Sequence, residues 1–307
     1  MMSVRKAVVI GYGSIGQRHI RLLNSLGIAT VVVSKHQIDV EKSYSTIEEA
    51  IESEYPEYIV VANETYLHEE MLTRIQDTGY DQRILVEKPL FAKMTSKNYH
   101  FSSLYVGYNL RFHPIIQKLF ELLKSEQIIS VNAYVGQYLP TWRPNTDYTK
   151  GYSADVTKGG GVIRDLSHEL DYLNFLFGNW AEMTASGGQI SDLSIQSDDY
   201  FSVLYQTQTG INVSVEMNYL DRIIQRQLVI QTNEHTFKAD LIGQKIQIDS
   251  EIIRFKVDRD ETYLNQHIAL LNNHVDMLCD LQGGLDIVRM IEVAEQCSKE
   301  KVWIKNA

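Results

Sequence analysis

Arg5-Lys6-Ala7-Val8-Val9-Ile10-Gly11-Tyr12-Gly13-Ser14-Ile15-Gly16 is the stretch on which the fold turns. Residues 6–10 form an apolar run, the pattern of a strand covered on both faces of a parallel sheet. Residues 14–26 follow with apolar side chains at helical spacing: Ile15, Ile20, Leu22, Leu23 and Leu26. Residues 29–33 are a β-branched run reached through Gly27, so the segment reads as strand, tight turn, helix, strand. Gly11, Gly13 and Gly16 have the spacing that lets the chain turn, lets its backbone approach a pyrophosphate, and lets the helix pack on the strand. Ser14 and Ile15 open that helix, where free N–H groups and the positive dipole end favour phosphate. A glycine turn alone also serves to change direction, and its place between a strand and a helix is what marks a dinucleotide site.

Helix then strand recurs outward from this unit. Residues 46–53 precede 58–62, residues 68–78 precede 84–87, and a shorter link leads to 104–108. This α/β rhythm predicts a doubly wound parallel sheet over residues 1–113, a Rossmann domain. After Pro114 the rhythm changes. A helix at 115–124, a strand at 128–135 and an aromatic loop lead to a helix at 166–177. Alternating segments follow at 182–190, 200–207, 212–217, 227–231, 236–240 and 245–248, and residues 252–255 offer a further strand. They predict an open, mostly antiparallel meander in an α+β domain spanning 114–307, closed by helices at 264–282 and 285–299.

A chain of 307 residues with 44% hydrophobic content supports two such cores. The net charge of -10 comes from scattered acidic residues with no basic stripe, which excludes nucleic acid and anionic membrane as partners. Met1-Met2-Ser3 runs into the first strand without a cleavage site, and no apolar run is long enough to span a bilayer, so a cytoplasmic location is expected. Cys279 and Cys297 fall in helical stretches without CxxC or metal-type spacing, so buried free thiols and no metal site are expected.

The second strand ends in Ser34-Lys35-His36 where an NAD site usually places an acidic ribose partner. A hydroxyl, one cation and one potential cation suit the 2′-phosphate of NADP. The alternative is a solvated strand end, with Asp39 serving the ribose of NAD.

Three more segments carry a family resemblance: Glu87-Lys88-Pro89, Tyr108-Asn109-Leu110-Arg111-Phe112-His113-Pro114, and Gly159-Gly160-Gly161-Val162-Ile163-Arg164-Asp165-Leu166-Ser167-His168-Glu169-Leu170-Asp171. With the glycine turn, in this order and at these separations, the chain resembles the Gfo/Idh/MocA oxidoreductases, which act mainly on sugars, polyols and their derivatives. The resemblance implies hydride transfer between nicotinamide and an oxygen-bearing carbon of a sugar or nucleotide-activated sugar, in a homodimer or homotetramer assembled through the second sheet. Lys88 is implied to touch cofactor and substrate, and an ammonium beside a reacting hydroxyl favours its alkoxide character. His168 is implied as acid/base, a role that imidazole suits near neutral pH. Without the family pattern, Lys88 reads as a surface lysine paired with Glu87, and His168 as a core histidine.

Asp165 is the third implied catalytic residue, with one departure. The common family pattern separates Asp from His by three residues and this chain by two, a rotation of about 100° on a helix. Asn63, Glu64 and His68 follow the third strand where the family passes over the cofactor, and Glu87 accompanies Lys88 there. His68 otherwise reads as a polar residue in a helix's first turn. Asn109 and the aromatic loop, with Tyr138, Trp142, Arg143, Tyr148 and Tyr152, are expected to shape the substrate pocket by stacking and fork donation. That loop equally suits a subunit interface. Relatives that reduce imines or tetrapyrrole-like substrates, or that serve as non-catalytic regulators, supply the alternative functions.

Overall fold

In the computed structural model, which describes residues 4–143 and 146–306, β1 (Lys6–Ile10) lies between two parallel neighbours. The expectation placed on Met1-Met2-Ser3 falls outside those residues. β2 (Ala29–Val33) pairs with β1 from Lys6↔Ala29 to Ile10↔Val33, and α1 (Ser14–Ser25) connects them. A two-residue strand, β3 (Ser43–Tyr44), extends that side. α2 (Ile47–Glu54), capped by the Thr46 hydroxyl, leads across to β4 (Tyr58–Val61) on the other side of β1. α3 (His68–Asp77), β5 (Arg83–Val86) and β6 (Leu104–Val106) complete the order β6-β5-β4-β1-β2-β3, all parallel. The strand order reverses between β1 and β4, the switch point where doubly wound sheets bind ligands. Every residue of β4 is buried, as the continuous apolar runs require.

The chain divides into two compact units: Met1–Phe112 with Asp260–Val288, and His113–Arg259 with Arg289–Ala307. This differs from the expected contiguous division at 113/114, because the late segment Asp260–Val288 belongs with the parallel sheet. Its helix Glu261–Leu271 places Ala269, Leu270 and Leu271 in the core with Val9, Leu23, Tyr58 and Leu85. A single helix over 264–282 is therefore corrected. The helix stops at Leu271, and Asn273 adopts a left-handed conformation (φ 57°), which asparagine tolerates. Cys279–Asp280 then pairs antiparallel with β6, so Cys279 lies in a strand rather than a helix. Both cysteines are buried thiols outside any disulfide.

In the second unit, α4 (Pro114–Leu122) starts at His113, whose Nδ1 accepts the Ile115 N–H at 3.2 Å. β7 (Ile128–Gly136) follows, then α5 (Val162–Asp165) and α6 (His168–Phe177). The strands β8 (Trp180–Gly188), β9 (Tyr200–Thr207), β10 (Asn212–Asn218), β11 (Gln225–Thr232), β12 (Thr236–Asp240), β13 (Lys245–Ile248) and β14 (Glu251–Arg254) build an open sheet. Its order is β14-β13-β12-β11-β7-β10-β9-β8, with Ile304–Lys305 at the far edge. The uninterrupted meander is corrected at one place: β7 lies between β10 and β11, parallel to the former and antiparallel to the latter. Along β10, Val213, Val215 and Met217 are buried while Asn212 is exposed, the alternation of a sheet covered on one face.

Candidate active site

The glycine turn follows β1 at the switch point. Gly11 adopts φ 98°, and a Cβ there would lie 2.7 Å from the Ala62 carbonyl oxygen, where β4 ends. A Cβ on Gly16 would lie 2.1 Å from the Gly11 carbonyl oxygen. Those two glycines are demanded by the protein's own packing. Gly13 is different: nothing lies within 4 Å of the position its Cβ would take. Gly13 is exposed at the N-cap of α1, with exposed Ser14 beside it and no acidic residue in the first turn. An open backbone approach at the N-terminus of a 12-residue helix fits the pyrophosphate of a dinucleotide.

At the end of β2, the Ser34 hydroxyl accepts the His36 N–H at 3.1 Å, which folds the strand end into a local turn. Lys35 and His36 are exposed, as is Asp39. Beyond β4, Glu64 is exposed and Asn63 partly buried. His68 has no exposed surface; its Nε2 faces the Asn63 carbonyl oxygen at 3.1 Å and its Nδ1 the Pro89 and Leu90 oxygens at 3.2 and 3.1 Å. Burial lowers its pKa, so the ring is neutral. The expectation that His68 contacts the cofactor is corrected: it ties the turn after β4 to the segment after Lys88.

Glu87 and Lys88 follow β5 at the same carboxyl edge as the glycine turn. Lys88 is partly exposed, and the Lys88–Pro89 peptide is cis. Glu87 is buried, with Oε1 2.9 Å from His19 Nε2, while Oε2 accepts the Lys88 N–H at 3.3 Å. Burial opposes its ionisation, but the His19 hydrogen bond and the nearby charge of Lys88 outweigh it and lower the pKa. Glu87 is thus inside the protein beneath Lys88 rather than presented to a ligand. Asn109 is also corrected. It is buried and its Nδ2 donates to Thr262 Oγ1 at 2.6 Å, so it anchors the helix Glu261–Leu271 within the first unit.

The second unit carries the other implied residues. The expected helix 166–177 is broken at Leu166–Ser167, so Asp165 ends α5 while His168 begins α6. This break resolves the short Asp-to-His spacing, since the two residues do not share one regular helix. Asp165 Oδ2 accepts hydroxyl hydrogen bonds from Ser153 at 2.5 Å and Tyr219 at 2.6 Å. His168 is 9% exposed. The segment is clamped by ion pairs on either side: Arg164 with Glu295, and the buried Glu169 with Arg226 at 2.8 Å. Burial raises the pKa of Glu169 against the pull of Arg226. Asp198 fixes the start of α5 by accepting the Ile163 N–H at 2.9 Å, and burial raises its pKa to about 6.

Around Asp165, Trp142 meets Tyr219 edge to face at 5.1 Å and its Nε1 donates to the Gln137 carbonyl. Tyr138 lies under the Arg222 guanidinium, 4.4 Å from ring centroid to Cζ. Arg143 is exposed. Tyr148 accepts the Ser194 N–H through its hydroxyl at 3.4 Å, and the Tyr152 hydroxyl donates to the Gly159 carbonyl at 2.7 Å. The latter two are spent on bracing the loop and the glycine run, while Trp142 and Tyr138 belong to the Asp165 neighbourhood. Ser153, Tyr219 and Arg222 were not read from the sequence; the cluster Asn218-Tyr219-Leu220-Asp221-Arg222 just past a strand was the available signal.

A glycine-turn Rossmann unit joined to a unit with an open, mostly antiparallel sheet defines a class of dinucleotide-binding oxidoreductases. The family model described as "Oxidoreductase family, NAD-binding Rossmann fold" matches residues 5–100, and the model of the GFO/IDH/MocA C-terminal domain matches residues 116–237. The chain belongs to the GFO/IDH/MocA oxidoreductase family. An uncharacterized oxidoreductase of Synechocystis sp. is 28% identical over 148 residues, 46% of this chain and 39% of that protein's length. Among solved structures, GenD2 from gentamicin A biosynthesis, in complex with NAD, superposes with a TM-score of 0.80 at 18% identity, covering 100% of this chain and 98% of that one. Levoglucosan dehydrogenase with NADH and L-sorbose gives 0.83 at 15%, covering 98% of each chain. The WlbA dehydrogenase from Bordetella pertussis with NADH and UDP-GlcNAcA gives 0.78 at 15%, covering 99% of each. At these identities the likeness establishes the shared fold. No helix among the described residues is long and apolar enough to cross a membrane.

Proposed function

We propose that this protein is a nicotinamide-dependent oxidoreductase that moves a hydride between the cofactor and an oxygen-bearing carbon of a sugar, polyol or nucleotide-activated sugar. The observation that carries the reading is the placement of Lys88 at the carboxyl edge of the sheet that also holds the open Gly13 approach. Gly11, Gly13, Ser14 and Ile15 would hold the dinucleotide phosphates, with Asn63 and Glu64 flanking. The bound nicotinamide supplies the hydride acceptor or donor. The Lys88 ammonium donates a hydrogen bond to the substrate oxygen and stabilises the charge that grows on it. His168 exchanges the proton of that oxygen, in the manner of a general acid/base. Asp165, held by Ser153 and Tyr219, binds a substrate hydroxyl and orients the sugar ring. The sugar-like ligands of levoglucosan dehydrogenase and WlbA support this substrate class.

For the cofactor, exposed Lys35 and His36 favour the 2′-phosphate of NADP, with NAD served through Asp39 as the alternative. NAD and NADH in the similar structures support that alternative. The polar, solvent-accessible face of the second sheet is the surface for a homodimer or homotetramer. The test follows reduced-nicotinamide absorbance with NADPH and NADH against a panel of sugars and nucleotide sugars, for the native protein, Lys88→Ala and His168→Ala. Turnover with at least one sugar-type substrate, lost in both variants, is expected. Equal turnover in all three proteins would remove these residues from the reaction.

A further inference from the structure

A continuous chain of buried polar contacts runs behind Lys88. Glu87 Oε1 lies 2.9 Å from His19 Nε2, His19 Nδ1 lies 2.9 Å from His267 Nε2, and His267 Nδ1 lies 2.9 Å from the Tyr58 hydroxyl. The four side chains come from the end of β5, from α1, from the helix Glu261–Leu271 and from β4, all within the first unit. Tyr58 and His19 are 0% exposed, His267 1% and Glu87 7%. The two imidazoles meet edge to face at 84°, and Tyr263 closes a further edge of His19 at 5.8 Å. Gly107 makes room for the carboxylate, since a Cβ there would lie 3.1 Å from Glu87 Oε1.

For a neutral His19 the donors in this chain have one consistent direction. A carboxylate only accepts, so His19 donates from Nε2; a neutral His19 then accepts at Nδ1, which His267 satisfies by donating from Nε2. That leaves His267 Nδ1 to accept the Tyr58 hydroxyl proton. Burial drives the His267 pKa well below its ordinary value and that of Tyr58 well above, which keeps both neutral. The other charged or titratable groups acting on the chain are Lys88 and His68 toward Glu87, and Tyr80 and Arg83 toward Tyr58. Adding one proton at His19 would reverse every donor from His19 to Tyr58.

We propose that His19, His267 and Tyr58 are positioning residues for Lys88, forming a one-way donor chain that ends on Glu87 and fixes the carboxylate whose other oxygen holds the Lys88 backbone. The inference rests on the reading of Lys88 as the group that meets the reacting oxygen. It also ties the helix of the glycine turn to the catalytic lysine, because His19 sits on α1.

The test is NMR on the intact protein without substrate. Long-range 15N–1H spectra of labelled histidines should show His19 and His267 neutral, both protonated on Nε2, at neutral pH. An imidazolium or an Nδ1–H tautomer at His19 would overturn the chain. Lys88 is followed as its 13C-dimethylated amine, assigned by Lys88→Arg. In His19→Ala, Glu87 loses its donor and takes up a proton, and the Lys88 titration should fall by about 1 pH unit. A folded variant in which Lys88 titrates as in the native protein would refute the coupling. Tyr58→Phe removes one hydroxyl and keeps the test open if His19→Ala does not fold: the nitrogen signals of His267 and His19 should both move, and an unmoved His19 signal would break the chain. These readouts need no turnover, so the network can stand if the sugar oxidoreductase reading fails, and the reverse.

Discussion

Lys88 and His168 are held by opposite means. Lys88 leaves the end of a parallel strand above a carboxylate held by rings in a buried hydrogen-bonded chain. His168 starts a helix whose flanks are pinned by full charges, Arg164 with Glu295 and Glu169 with Arg226. A buried chain in which each donor meets an acceptor is rigid, whereas a buried ion pair is robust only while both partners remain. The lysine half should therefore respond to mutation chiefly in function and the histidine half chiefly in stability.

Lys88→Ala gives the largest expected effect, a fall in turnover of roughly 100- to 1000-fold with little change in melting temperature, because the side chain is partly exposed and a single electrostatic donor is worth about that much. A large loss of stability instead would dissolve the contrast. On the other side, Arg226→Met leaves the Glu169 carboxyl buried without its charge partner and should cost about 3 kcal/mol in denaturant unfolding. The double variant Arg226→Met with Glu169→Leu should recover most of it. Tyr58→Phe should cost only about 1 kcal/mol, the net worth of one hydrogen bond.

Asp198 sharpens the contrast through pH. Burial raises its pKa to about 6, above the value of about 3.9 in an unfolded chain. Its contribution to stability is complete below about pH 4 and is lost as pH rises through about 6. Asp198→Asn should remove that slope while keeping the acceptor for Ile163, as read by melting temperature between those limits. The smallest effect is on binding alone. Gly13→Ala should weaken NADPH or NADH binding about 10-fold, by blocking the backbone approach, with an unchanged melting temperature. Gly16→Ala, whose Cβ meets the Gly11 carbonyl, should instead destabilise the fold.

Much of the first unit was legible because its signals are local. Apolar runs, helical spacing and glycine positions all act within a few residues, and the parallel strands appear where those patterns place them. What escaped depends on distant partners. Nothing near His68 says that its ring is enclosed by carbonyls from residues 89 and 90, and nothing near Asn109 points to Thr262. The break between α5 and α6 was hidden because Leu166 and Leu170 continue the helical spacing, while Asp198 supplies the cap from a remote loop. β7 could not be ordered between β10 and β11 from periodicity, since alternation reports a strand's faces and not its neighbours.

The late return of Asp260–Val288 has a consequence for biosynthesis. The glycine turn and the strands around it leave the ribosome first, yet His267, the core residues Leu270 and Leu271 and the closing strand at Cys279 arrive only after β7 to β14 of the second sheet have been made. The dinucleotide-binding half is therefore the first begun and among the last completed. A fragment ending at residue 113 would lack part of its own core, and swapping this cofactor domain into another protein would require grafting two separate stretches of chain.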